Sequence, residues 1–497
     1  MAGPKGARVT PTLLWLRKDL RLSDHPALLE AVGRGPVIPV YILDPEGEGD
    51  WAPGGASRWW LHQSLESLDT QLRKLESRLI VRRGPSLRAL LDLVKETGAG
   101  AVFWSRCYEP AIEARDKAIR SAMERAGVET RVFASALLFE PEAVRTRTDG
   151  PYQVFTPFWR ACQAAPKPAA PLPAPRKIPA PEDWPASLEP AGLELLPRID
   201  WAVGLRETWR PGAEGARALL KARVTDVLPE YAETRDDPNA EGTSRLSPHL
   251  HFGEVGIREV WAEVEKRAAS PGLDAQAKAS LLAFQRQLIW REFAHHLLAH
   301  FPHIPDQPLR PSFRNFPWRK DGRALKAWQL GRTGYPYVDA GLRQLWATGW
   351  MHNRVRMAAA SFLVKDLLIP WQEGARWFWD TLVDADLAQN TLGWQWVAGC
   401  GADAAPYFRI FHPVTQGERF DPHGDYVRRW VPELARLEGK WIHRPWEAPE
   451  ETLQRAGVVL GKTYPKRLVD HAMARERALA AYHGLEKQSP KKNSPHK

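Results

Sequence analysis

Four segments of this chain gather side chains that could do chemistry. The first is EGTSRLSPHLHFGE, Glu241–Glu254. Thr243, Ser244 and Ser247 supply hydroxyls, Arg245 supplies charge, and Ser247-Pro248 is a helix-start signal. Hydroxyls and backbone N–H groups at such a start can cradle a phosphate. The same residues also suit a plain helix cap with a turn. His249 and His251 stand two apart with no cysteine or HExxH nearby, so no metal site is expected. The second is FQRQLIWREFAHHL, Phe284–Leu297. At about 100° per residue, Ile289, Phe293 and Leu297 share one helical face. Phe284, Gln287 and Arg291 fall opposite, with Trp290 at the edge between. A flat ring beside an amide and a guanidinium suits stacking on, and hydrogen bonding to, a planar heterocycle. A core helix with a polar rim has the same pattern.

The third is GWMHNRVRMAAASFLVKDLL, Gly349–Leu368. Asn353 and Met357 lie one turn apart, with Arg354 and Arg356 between. Arginines in so apolar a helix need anionic partners, while methionine in a helix–helix contact fills gaps. The fourth is VDADLAQNTLGWQW, Val383–Trp396. Asp384 and Asp386 can take an arginine or a ligand donor. Asn390 sits one turn beyond Asp386, and Trp394 and Trp396 follow. Two carboxylates two apart raise hydrolysis or magnesium, but no Glu/His set or phosphate loop accompanies them.

The elements that must position these segments fall into two parts. Short apolar runs at Thr12–Leu16, Val37–Leu43, Leu79–Val81, Ala101–Trp104 and Thr130–Phe133 read as strands. Amphipathic stretches such as Arg58–Leu75 and Ser86–Val94 lie between them. This alternation predicts a Rossmann-like parallel α/β domain over residues 1–135. No GxGxxG follows the first strand, so the shape does not imply NAD. Residues 136–205 read as an interdomain linker, because Pro166–Pro190 holds nine prolines and reads as extended, exposed chain. Helical periodicity then dominates, predicting one large all-helical domain over residues 206–485. Residues 486–497 read as a basic, disordered tail.

Composition narrows the function. Basic residues exceed acidic ones by 69 − 59 = +10 over 497 residues, which favours an anionic partner. Three cysteines and no CxxC argue against a disulfide scaffold, a zinc ribbon or a four-cysteine cluster. No apolar run is long enough to span a membrane, and the start MAGPKGARVTP has no apolar signal core, so a cytoplasmic protein is expected. The 23 tryptophans against 10 tyrosines are unusual. They fit either aromatic plugs in a large core or a site that uses indoles for stacking or electron transfer.

TSRLSPHLHFGE, LIWREF, WMHNRVRM and DADLAQNTLGWQW, with DAAPYFRIFHP after them and WLRKDLRLSDHPAL at Trp15–Leu28, together resemble the photolyase/cryptochrome family. The resemblance runs from about Leu13 to Leu485. It implies FAD in the helical domain, with Thr243, Ser244, Arg245, Leu246 and Ser247 at the pyrophosphate and Tyr231 nearby. It places Phe284 and Arg291 against the cofactor, Asp384 and Asp386 along its ribityl and ring side, Arg356 on Asp384, and Asn390 at flavin N5. It implies that Trp290 and Trp396 flank a flipped-out pyrimidine dimer, and that Arg235, Asn353, Arg354 and Gln416 contact DNA or lesion. Met357 stands where enzymes acting on cyclobutane dimers have methionine; those acting on (6-4) lesions have a histidine. Gln287 departs from the family, whose repair enzymes usually carry a glutamate there. Trp394, Trp371 and Trp318 match a relay that photoreduces oxidised flavin.

SPHLHFGE and FRNFPW resemble the class III branch, which implies a 5,10-methenyltetrahydrofolate antenna with Glu109 as a contact; a deazaflavin or an empty antenna site are the alternatives. The implied function is light-driven repair of cyclobutane pyrimidine dimers in DNA by electron transfer from photoexcited reduced FAD, by a monomer with no membrane partner. The alternative is a cryptochrome-type blue-light photoreceptor with little or no repair. Signalling relatives often carry long extensions after the helical domain, and only a short tail follows Gly484 here, which disfavours that alternative.

Overall fold

The structure is a computed structural model that describes residues 10–404 and 408–488. Strands Thr12–Leu16 (β1), Val37–Leu43 (β2), Ile80–Arg83 (β3), Ala101–Ser105 (β4) and Glu129–Phe133 (β5) form one sheet of order β3-β2-β1-β4-β5. All pairings are parallel, with Trp15 of β1 facing Val40 on one side and Trp104 on the other. Helices Pro26–Arg34 (α1), Gly55–Arg73 (α2), Ser86–Thr97 (α3) and Pro110–Arg125 (α4) connect successive strands. Every residue of β1, β2 and β4 is buried. Helices on both faces exclude water, so these strands read as unbroken apolar runs rather than alternating ones. Only the edge strand β5 is largely exposed.

Residues 136–205 do more than link. Phe155–Ala164 (α5) is a helix whose Phe155, Phe158 and Cys162 are buried in the same core as Ile289 and Phe293. Pro157 hid it in the sequence, yet proline is tolerated in a first helical turn. The proline-rich stretch that follows is mostly exposed but tied to the sheet domain. Leu172 accepts from the Asp24 N–H at 2.8 Å and Pro179 from the Val37 N–H at 2.9 Å. Leu188 pairs with Val81 and covers part of the β3 edge. Ile178 is fully buried.

The helical body is built around Ala275–His300, Asn353–Ser361, Trp371–Thr381 and Leu387–Ala398. Ile289, Phe293 and Leu297 of the longest helix enter the main core, while Phe284 and Leu288 enter a second apolar cluster. That helix is thus apolar on more than one side. The two domains are locked together at Glu254, which is fully buried. Its carboxylate accepts from the Trp60 indole at 3.0 Å and the Gly212 N–H at 2.7 Å, and also meets Ser64 and His249. The preceding Gly253 has φ +65°, and a Cβ there would stand 2.1 Å from the Lys18 carbonyl oxygen. Only glycine lets the chains approach so closely. The terminal helix His471–Gln488 extends past the expected domain end at 485. The tail beyond it lies outside the described residues, as do residues 405–407 of DAAPYFRIFHP.

Candidate functional site

The helical body holds a partly open cavity of about 780 Å3, within the range of cofactor sites. All four segments singled out in the sequence contribute to its wall. Thr243, Ser244, Arg245 and Ser247 line it, with Tyr231, Phe284, Gln287, Trp290, Arg291, Asn353, Arg354, Arg356, Met357, Asp384, Asp386, Asn390, Trp394 and Trp396, and Arg235. Leu246 does not. Its side chain is 1% exposed and packs with Leu220 and Val224 in the second apolar cluster. Alternation along an irregular loop turns it away from its neighbours' side. The expected helix at Ser247 is only Ser247–His251, so hydroxyls and Arg245, rather than a long helix dipole, make this wall. Arg245 itself has φ +53°, a left-handed residue between Ser244 and Leu246.

One end of the cavity is a closed polar network. Arg356 donates to both oxygens of Asp384, at 2.9 and 3.1 Å, and to the Met351 carbonyl at 2.7 Å. Ser247 donates to the same carboxylate at 2.7 Å. This is the anionic partner that the arginine-bearing helix needed. Asp386 caps Leu387–Ala398 by accepting the Gln389 N–H at 3.0 Å. Burial alone would raise the Asp386 pKa, but His295 and His251 hold it well below the usual carboxylate range. Their rings stand 3.6 and 3.5 Å from its second oxygen. Burial lowers both histidines. Asn390 donates to the Ala375 carbonyl at 3.0 Å, which fixes its amide in the wall.

The other end is aromatic and half-buried. Trp290 stacks on Phe155 of α5, with ring centroids 3.6 Å apart and planes 8° apart. Trp396 stacks on Phe411 at 6.3 Å. Asn353 reaches the Met357 sulfur at 3.8 Å. Gln287 donates only to the Ala283 carbonyl of its own helix, at 3.4 Å, so its amide is little committed. Arg354 is held by Asp236 in a two-pronged pair of 2.9 and 2.7 Å.

Several expected residues lie elsewhere. Trp371 is 1% exposed on the helix packed beside the one carrying Trp394, and Trp318 is half-buried against Phe316. Gln416 is half-buried on Pro413–Phe420, outside the cavity wall. Glu109 pairs with Lys18 in the groove between the domains. A second cavity there, lined by Lys18, Cys107, His251 and Trp379, measures about 40 Å3. It has room for a few waters. Sequence reasoning missed Asp236, Trp350, Gln389 and Asp403, which also line the large cavity. It weighed His251 only as a metal ligand. Among the described residues no cluster of His, Cys, Asp or Glu is arranged for a metal, and no helix is long and apolar enough to cross a membrane.

Comparison with known proteins bears on what fills this cavity. Residues 12–177 match the family described as DNA photolyase, and residues 284–484 match the FAD binding domain of DNA photolyase. The chain is 50% identical to a deoxyribodipyrimidine photo-lyase of Agrobacterium fabrum over 97% of this chain and 99% of that one. It is 41% identical to cryptochrome-1 of Arabidopsis thaliana, over 93% of this chain and 69% of that one. A bacterial class III photolyase from Agrobacterium tumefaciens superposes with a TM-score of 0.93 at 49% identity, covering 97% and 99% of the two chains.

Proposed function

The chain belongs to the photolyase/cryptochrome family, and we propose that it repairs cyclobutane pyrimidine dimers in DNA with light energy. The observation that carries this reading is one cavity lined both by the Asp384–Arg356–Ser247 network and by two half-buried indoles, Trp290 and Trp396. FAD is the cofactor, and the residues present suit it: hydroxyls and Arg245 for the pyrophosphate, Asp384 and Asp386 for sugar and ring donors, Phe284 for packing. When bound and reduced, FAD supplies on excitation the electron that splits the dimer.

The protein's own part is positioning. Asp384, held by Arg356 and Ser247, offers a fixed acceptor at the cofactor end. Asn390 can hydrogen-bond flavin N5 but is a poor proton donor. Trp290 and Trp396 receive the flipped-out dimer. Eversion costs roughly a few kcal/mol, less for a damaged base, and stacking on indole returns about 1–3 kcal/mol per base. Met357 offers a thioether and no proton, which suits cyclobutane rather than (6-4) chemistry. Gln287 donates through its amide NH2 to a pyrimidine carbonyl. Arg235, Asn353 and Gln416 extend the contact to the strand. Arg354, held by Asp236, which also stands 3.6 Å from Arg235, extends the same contact. Trp394, Trp371 and Trp318 serve to deliver electrons from the surface. Photolyases commonly carry an antenna chromophore, and Glu109, paired with Lys18, is the contact proposed for a folate antenna here.

The test is recovery of thymine absorbance from dimer-containing oligonucleotide by the reduced, FAD-loaded protein under blue light, with a dark control. Light-dependent recovery is expected; none would overturn the reading. A photoreceptor with little repair draws support from Gln287 and from the cryptochrome-1 similarity, and the same assay decides against one of the two.

A further inference from the structure

Four carboxylates line the large cavity, and three are committed. Asp236 holds Arg354, Asp384 holds Arg356 and Ser247, and Asp386 caps a helix beside two histidines. Among the described residues the fourth, Asp403, pairs with no side chain, and its carboxyl accepts the Phe155 backbone N–H. It lies on the loop that leaves Leu387–Ala398 shortly after Trp396. Its backbone is left-handed, with φ +49°, a conformation that aspartate tolerates better than most residues at a cost of about 1 kcal/mol. Its N–H donates to the Gln153 carbonyl at 3.1 Å, which pins the loop to the start of α5. Phe155, at that start, is the ring stacked on Trp290. Asp403 is therefore built into the same unit as one indole and follows the other in sequence. Burial raises its carboxyl pKa, with the Phe155 backbone N–H partly offsetting this.

Apart from the Arg354–Asp236 pair, the remaining groups at this end are indoles, a thioether and the amides of Gln287 and Asn353. A pyrimidine dimer presents carbonyl acceptors and imide N–H donors. The amides suit the carbonyls, and an imide N–H wants a strong acceptor. We propose that Asp403 contacts the lesion directly, its carboxyl accepting the imide N–H of a flipped-out pyrimidine. This rests on the reading of the site as a dimer-repair site. It assigns to the loop after the second indole part of the recognition that a glutamate at position 287 would otherwise supply.

The experiment is dark equilibrium binding by the FAD-loaded protein. The probes are a duplex with a thymine dimer, the same duplex with the dimer methylated at the imide nitrogens, and an undamaged duplex. In wild type, methylation is expected to weaken dimer binding by about tenfold, the loss of one hydrogen bond to a charged group. In Asp403→Ala the unmethylated dimer is expected to bind about tenfold more weakly, and methylation to change that by under about twofold. Binding of undamaged duplex and the flavin absorbance should not change. Asp403→Asn, which keeps an acceptor oxygen and the loop's shape, should retain part of the sensitivity to methylation. An equal methylation effect in wild type and both variants would overturn the proposal, as would equal losses on damaged and undamaged duplex. A wild type with no preference for the dimer would instead remove the reading of the site, and this assignment with it.

Discussion

The two ends of the cavity are built on opposite plans. At one end, Asp384, Arg356 and Ser247 satisfy one another at 2.7–3.1 Å, and Asp386 is flanked by two buried histidines. At the other, Trp290, Trp396 and Gln287 are half-buried, held by ring stacking and a long hydrogen bond. A preorganised charged network suits a group that stays. Partly exposed aromatic faces suit one that comes and goes, because stacking tolerates exchange without leaving a buried charge unpaired. The contrast shows where retention ends and turnover begins within one continuous space.

If that division is right, substitutions at the two ends should separate FAD retention from lesion binding. The largest effect is expected from Asp384→Ala. It leaves Arg356 without its partner, a loss of about 3–5 kcal/mol, and the purified protein should lose its flavin absorbance. Retention of flavin at wild-type level would show that the network is not the cofactor clamp.

The next effect concerns the helix that carries both ends, Ala275–His300. Its Glu292 is buried and accepts from the Leu138 and Phe139 N–H groups at 2.9 and 3.1 Å. Burial pushes its pKa from 4.5 up to about 7. A folded pKa above the unfolded one contributes stability that is full below about pH 4.5 and is lost as pH rises through about 7. The loss is on the order of 3 kcal/mol. Glu292→Gln keeps an acceptor without the charge, and its melting temperature should stay flatter than wild type over that window. Parallel curves would contradict the assignment.

Smaller and confined to the aromatic end is the expected result of Trp290→Ala: about 1–3 kcal/mol of dimer affinity lost, with undamaged DNA binding and flavin unchanged. Equal losses on both DNAs would make the indole structural. Smallest is Gln287→Glu, which restores the group the family usually carries. It should change repair yield by a factor of about two while altering dimer affinity by under about 1 kcal/mol. A change in flavin content would place residue 287 at the wrong end.

Much of this was legible in the sequence because it rests on local pattern. The five strands lie within a residue or two of the apolar runs, since a sheet covered on both faces leaves no polar alternation to blur their ends. The four chemical segments converge on one cavity because their spacing put reactive side chains on shared helical faces. Less was legible where geometry is non-local. Phe155 was lost in a linker reading, and only the fold brings it onto Trp290. The commitment of Arg354 to Asp236 depends on a loop more than a hundred positions away. Leu246 was grouped with its hydroxyl-bearing neighbours, but an irregular backbone points adjacent side chains in different directions. Asp403 carried no periodic signal at all.

The excited-state lifetime of the reduced flavin tests most directly whether both ends serve one electron transfer. Adding dimer-containing DNA to the reduced protein should shorten that lifetime, undamaged DNA of the same sequence should not, and Trp290→Ala should weaken the difference. A lifetime indifferent to the dimer, at concentrations where the dimer is bound, would mean that the aromatic end does not bring the lesion within reach of the cofactor.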